Sequence, residues 1–172
     1  MLDTIDALSS YGDKEKRLEI LKDPHAGAFA IIGCIVYFVI SLGLWSEISH
    51  KGLEILSVTY LLSRTLSGFS VVTFPLSKNS GLAATFQEGA HKRNVRIVMI
   101  LYFLIEGAFL VWIQPIMGLS CLGAALLFFG YYYYMCKKHF GGVTGDLAGY
   151  FLQVCELLLL AVVVIIGKLI FI

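Results

Sequence analysis

Charge is what this sequence has least of. Asp, Glu, Lys and Arg make up 15% of its 172 residues while 58% are hydrophobic; a soluble domain of this length is nearer a quarter charged and half apolar. The net formal charge is +1, so no field across the whole molecule argues for a nucleic-acid partner. The first 25 residues are charged and hold no apolar run of the kind a cleavable signal peptide needs, so none is expected. Internal repeats, Gly/Ser linkers and low-complexity tracts are absent from the sequence. The four cysteines, Cys34, Cys121, Cys136 and Cys155, match no metal or redox spacing. All stand in or beside apolar runs, where small buried hydrophobes are the expected role.

What is there is apolar sequence gathered into blocks, which points to membrane spans. Met1 to His25 is polar; its Asp13–Arg17 run leads into Leu18, Ile20 and Leu21 and stops at Pro24, the pattern of a short helix at a membrane surface. Spans are expected at about 26–45, 55–74, 97–116, 119–135 and 147–166, each near the ~20 residues a bilayer requires. Tyr131 to Tyr134, followed by Lys137 and Lys138, read as an aromatic belt with basic anchors. The expected fold is all-α: a polytopic transmembrane helix bundle of about five spans with a short N-terminal interfacial helix, forming one membrane-embedded domain over residues 1–172.

Lys and Arg in the loops give the orientation. Lys14, Lys16, Arg17, Lys22, Lys78, Lys92, Arg93, Arg96, Lys137 and Lys138 fall on one side, with only Lys51 and Lys168 opposite. A cytoplasmic N-terminus and an external C-terminus are therefore expected. That topology puts three polar segments, 3–10, 78–86 and 141–146, on one cytoplasmic face, where segments distant in sequence can build one site.

Each segment has its own chemistry. Asp3 and Asp6, spaced i and i+3, share a helix face; hard oxygen ligands of this kind suit Mg²⁺, which takes one or two protein carboxylates and completes its shell with water and phosphate. An Asp pair at a terminus is also a common solvated helix start. The connector Gly141-Gly142-Val143-Thr144-Gly145-Asp146 frees backbone amides to approach an anion where a helix begins; Asp146 fits either a cation-bridging role or a plain helix cap. Asp146, Gly149, Gln153 and Glu156 form one helical stripe, placing Glu156 about 15 Å below Asp146 and facing the bundle interior. Arg64 and Glu106 sit at similar depth in their spans, either as a neutralising pair or with Arg64 on a phosphate. Lys78 through Phe86 reads as a phosphate or ribose clamp or as a solvated loop. His25, His50, His91 and His139 are expected at the surface.

Together these strings resemble the cobalamin synthase family, also called adenosylcobinamide-GDP ribazoletransferase. The matching stretches are Asp3 to Ser10, Glu15 to Asp23 with Gly27 and Phe29, Ser63 to Gly68, Lys78 to Phe86, and Phe140 to Gly149 with Glu156, in the family's order along the whole chain. The resemblance implies a Mg²⁺-dependent enzyme, multi-pass in the bacterial cytoplasmic (inner) membrane. It would join α-ribazole or its 5′-phosphate to adenosylcobinamide-GDP, giving adenosylcobalamin or its phosphate and GMP. It implies Asp3, Asp6 and Asp146 as metal ligands, Asp146 and Arg64 as catalytic, and Lys78, Ser80, Gly81, Gly142, Thr144 and Gly145 as substrate-binding. The lipid bilayer is the expected surround, nucleic acid is not a partner, and a homo-oligomer is compatible. The family's aspartate pair follows a His-x-Asp-Gly segment and further spanning sequence, whereas this chain opens on Met1-Leu2, so it is expected to lack the family's N-terminal part. Two other readings compete. A CDP-alcohol-type phosphotransferase would need a tighter Asp-Gly-x-x-Ala-Arg cluster, and a transport or assembly subunit would show repeats between its halves.

Overall fold

The structure is a computed structural model and describes residues 1–77 and 91–171. Among the described residues seven α-helices form, in the order α1 (Leu2–Ser9), α2 (Lys14–Ile20), α3 (Ala28–Trp45), α4 (His50–Thr73), α5 (Lys92–Ile113), α6 (Pro115–Met135) and α7 (Gly145–Phe171). A π-helical turn, Cys136–Phe140, prolongs α6. Helices α3 to α7 are each long and apolar enough to cross a membrane, so the protein is a multi-pass membrane protein. Among the described residues there is no β-strand; one isolated parallel bridge joins Leu76 to Val143.

The helix ends follow local chemistry. Asp13 caps α2, its side chain accepting from the Lys16 amide at 3.0 Å, and Ser49 caps α4, accepting from the Gly52 amide at 3.1 Å. Helix α4 therefore starts at His50, ahead of the apolar run, so Lys51 and Glu54 are helical and not part of a loop. It stops just before Phe74, because a residue preceding proline is driven out of the helical region. The predicted third span ran through Pro115; instead α5 ends at Ile113 and Pro115 opens α6. Proline has no amide hydrogen to lose at a first helical position and disrupts an interior one. The hairpin is tight because Gly118 lies on the backbone of α5: a Cβ there would stand 2.5 Å from the Leu110 carbonyl oxygen. The polar N-terminal segment, read as one short helix, contains two.

Four helices close a ring. Helix α4 packs on α5 and α7, and α6 packs on the same two. Helix α4 is the most enclosed, with Ile55, Leu62, Ser63 and Ser70 almost wholly buried. Helix α3 lies outside the ring, against α1 and α7, and exposes Ile32, Ile35, Phe38, Val39 and Leu42. Helix α5 likewise exposes Leu101, Leu104 and Ile105. Such continuous apolar surface suits a hydrocarbon surround. At the far end of the bundle Lys168 binds Glu47 at 2.5 Å; the hydrogen bond and then the charge of that ammonium hold the Glu47 carboxyl below its ordinary pKa.

Candidate active site

Five crossings with these loops bring α1, α2, the chain after α4, and the connector after α6 to one end of the bundle. Two stitches hold that end together. The first joins the exit of α4 to the connector. The Val143 amide donates to the Pro75 carbonyl at 2.8 Å, and the Ser77 amide donates to the Val143 carbonyl at 3.1 Å. The Ser77 hydroxyl donates to the Phe140 carbonyl at 2.5 Å. Two glycines make this approach possible. Gly141 has φ of 74°, the left-handed region that ends a helix. Gly142 lies so close that a Cβ would meet the Pro75 oxygen at 2.4 Å and the Ser77 nitrogen at 2.5 Å.

The stitch and the close of the π-turn consume donors that the sequence had offered to a ligand. The Gly142 amide binds the Cys136 carbonyl at 3.1 Å, and the Val143 amide is on Pro75. Thr144 caps α7, its hydroxyl accepting from the Leu147 amide at 3.3 Å. The amides of Gly145 and Asp146, at the first two positions of α7, are those a helix start leaves open, and the helix dipole makes them attractive to anions. Ser77 is the last residue before Lys78; Lys78, Ser80 and Gly81 lie outside the described residues.

The second stitch places α1. Thr4 is fully buried, and its hydroxyl lies 3.5 Å from the Asp146 carbonyl, so the start of α1 meets the start of α7. Thr4 and Asp146 thus meet, with Asp146 exposed; Asp3, the neighbour of Thr4 on α1, is half-buried. Asp6, one turn on, faces α3: its carboxylate accepts from the Gly27 amide at 2.6 Å and the Ala30 amide at 2.8 Å. Among the described residues no three His, Cys, Asp or Glu side chains converge as metal ligands. Asp3 and Asp146 are the carboxylates borne by the two helix starts that the Thr4 contact joins, and Mg²⁺ takes one or two carboxylates from protein when phosphate supplies the rest.

Arg17 was not singled out in the sequence, and His139 was read as a surface residue. The Arg17 guanidinium contacts the His139 imidazole and donates to the Ser10 carbonyl at 3.3 Å. It ties α2 and the end of α1 to the π-turn. In the sequence Arg17 was one cation among several on a surface helix, and nothing in the pattern announces a π-turn, though such turns often occur at functional sites.

Deeper in the bundle the pairing differs from the expected one. Arg64 binds Glu156, not Glu106: Nη1 is 2.5 Å from Oε1 and 3.0 Å from the Tyr60 carbonyl. The Ser63 hydroxyl lies 3.2 Å from the same glutamate oxygen. Glu106 instead accepts from the Thr65 hydroxyl at 3.0 Å. Arg64 and Thr65 are adjacent in sequence, hence about 100° apart around α4; one side faces α7 and the other α5. Glu156 is ten residues beyond Asp146, about 15 Å along α7. Arg64 and Asp146 therefore occupy different levels of the bundle.

The sequence model of the cobalamin-5-phosphate synthase family matches residues 1–164. A curated adenosylcobinamide-GDP ribazoletransferase of Lachnoclostridium phytofermentans is 49% identical over 170 residues, covering 98% of this chain and 65% of that protein. The relative of the same name from Clostridium perfringens is 33% identical over 159 residues, 90% of this chain and 62% of its own length. One from Geobacillus is 32% identical over 162 residues, 90% and 61%. The chain thus spans less than two thirds of the length of these relatives. No solved structure matches it. With the match running from the aspartates of α1 to the last turns of α7, the chain belongs to the cobalamin-5-phosphate synthase family.

Proposed function

We propose that the protein performs the transfer for which its relatives are named, joining α-ribazole or its 5′-phosphate to adenosylcobinamide-GDP. A ribazole hydroxyl oxygen bonds to the phosphorus on the cobinamide side and loses its proton, the bond from that phosphorus to the bridging oxygen breaks, and GMP departs. The product is adenosylcobalamin or its phosphate. The observation that carries this reading is the contact of Thr4, the neighbour of Asp3 on α1, with the Asp146 carbonyl at the start of α7, beside the stitch that leads to Lys78. Reactions at phosphorus depend mainly on positioning and on neutralising charge that builds on phosphate oxygens. The Gly145 and Asp146 amides would orient one phosphate, and Lys78, Ser80, Gly81, Gly142 and Thr144 belong to the two segments proposed to grip the substrate. Asp3 and Asp146 are the carboxylates that would hold Mg²⁺, and a bound Mg²⁺ supplies positive charge to the pyrophosphate. Arg64, held by Glu156, is proposed to meet substrate away from the reacting phosphorus.

The proposed setting is the bacterial cytoplasmic membrane, with the N-terminus and the site on the cytoplasmic side, supported by the excess of Lys and Arg on that face. Membranes containing the protein, supplied with adenosylcobinamide-GDP and α-ribazole, are expected to release GMP only with Mg²⁺, and at least about a hundredfold more slowly in Asp146→Ala, the scale of losing one charge-stabilising group. GMP release indifferent to Mg²⁺ or to Asp146→Ala would refute this reading.

A further inference from the structure

We infer that Asp6 is a positioning residue, a latch between α1 and the first turn of α3, and not one of the metal's ligands. The four amides that open a helix have no partner within it, and the usual remedy is a Ser, Thr, Asp or Asn at the capping position. At α3 that position is Gly27, which has no side chain. The acceptor comes instead from 21 residues upstream: one Asp6 oxygen takes the Gly27 amide at 2.6 Å and the other takes the Ala30 amide at 2.8 Å. These are charge-assisted bonds at the positive end of the helix dipole, so the charge of Asp6 is already engaged.

The packing around the latch is close enough to be specific. A Cβ on Gly27 would stand 2.6 Å from the Asp6 oxygen, and one on Gly33 would stand 2.5 Å from the Ile5 side chain. Ala7 of α1 and Ala30 of α3 are both fully buried. Small residues on α3 therefore admit α1 along its first two turns. Successive residues divide the work: Thr4 goes to α7, Asp6 goes to α3, and α1 becomes a strut between two helix starts, with Asp3 at its α7 end. The pair that reads in sequence as two equivalent ligands is one residue for the site and one for the scaffold. The statement about the metal rests on the proposed function; the latch does not.

Two measurements on the purified chain in lipid nanodiscs test this. Hydrogen exchange over residues 24–34 reads the two amides directly. Asp6→Asn is expected to speed it about tenfold or more, Gly27→Ala to do the same by displacing the carboxylate, and the double variant to be no faster than either; Asp3→Asn leaves it unchanged. Titration with Mn²⁺, followed by electron paramagnetic resonance, reads the metal. Asp6→Asn and Gly27→Ala are expected to shift the Mn²⁺ Kd by the same factor, within about threefold, while Asp3→Asn and Asp146→Asn each raise it about tenfold or more. Unchanged exchange in Asp6→Asn overturns the latch. A Kd raised tenfold more by Asp6→Asn than by Gly27→Ala makes Asp6 a ligand and overturns its exclusion from the metal. A parent chain that binds no Mn²⁺ removes the metal reading alone, and amide exchange then decides the latch.

Discussion

Arg64 and Glu156 share a bond but not an environment: the arginine side chain is 58% exposed and the glutamate 17%. Removing either partner strands the other in a membrane span, where an unpaired charge is costly. The stranded glutamate is the worse case, because the long arginine can reach polar surroundings. Arg64→Ala is therefore expected to lower the thermal unfolding midpoint in detergent more than Glu156→Ala. The double variant should lose less than the two losses added, since neither charge then remains to be stranded. Strictly additive losses would deny the coupling. Arg64, Glu106 and Glu156 were visible in the sequence as breaks in apolar runs, but their pairing was not. Which helix each residue faces depends on how α4 is rotated, and two adjacent residues, Arg64 and Thr65, reach opposite neighbours. The same holds for Asp6: spacing put it on one face with Asp3, and only the position of α3 gives it the Gly27 and Ala30 amides as partners.

At the level of elements, the connector between α6 and α7 was legible as glycine-rich and not as a joint. Its glycines suggested amides open to a ligand. Two of those amides are spent on the protein itself: that of Val143 on Pro75, because Pro75 to Ser77 return from the end of α4 to lie against it, and that of Gly142 on the Cys136 carbonyl of the π-turn. That return is a contact between residues more than sixty positions apart, which no local pattern records. The glycines differ accordingly. Gly142→Ala would drive a methyl group into backbone, and an overpacked site of this kind costs about 1–3 kcal/mol. At Gly145 and Gly149 an added Cβ meets nothing within 4 Å, so alanine there is expected to change stability by no more than about 0.5 kcal/mol. Chemical unfolding of the three variants, monitored by circular dichroism, checks the ranking. Equal tolerance at Gly142 would show that the stitch does not form.

For the whole molecule, apolar blocks and turn residues were enough to give five spans, and the errors lay at their ends: a cap or a proline overrides hydropathy at His50 and Pro115, and two further bounds differ where the helices run on, to Lys92 at the start of α5 and to Phe171 at the end of α7. The ring of α4, α5, α6 and α7, with α3 outside it, was not available from sequence, since every span is apolar on most sides. Topology gives a prediction at this scale. Single cysteines replacing Tyr11 and Lys137, both exposed on the α1 side, are expected to react with an impermeant maleimide only after cells are opened. A cysteine replacing the exposed Ser46 at the other end should react in intact cells; the opposite pattern would invert the protein in the membrane. The bridge between Leu76 and Val143 has a mechanical meaning as well. The tail of one crossing and the head of another are welded into a single rigid corner, so a tug on Ser77 is felt at the first turn of α7 without any helix having to slide. The two parts of a substrate that those segments are proposed to grip would then be kept at a set distance, as jaws on one casting would keep them.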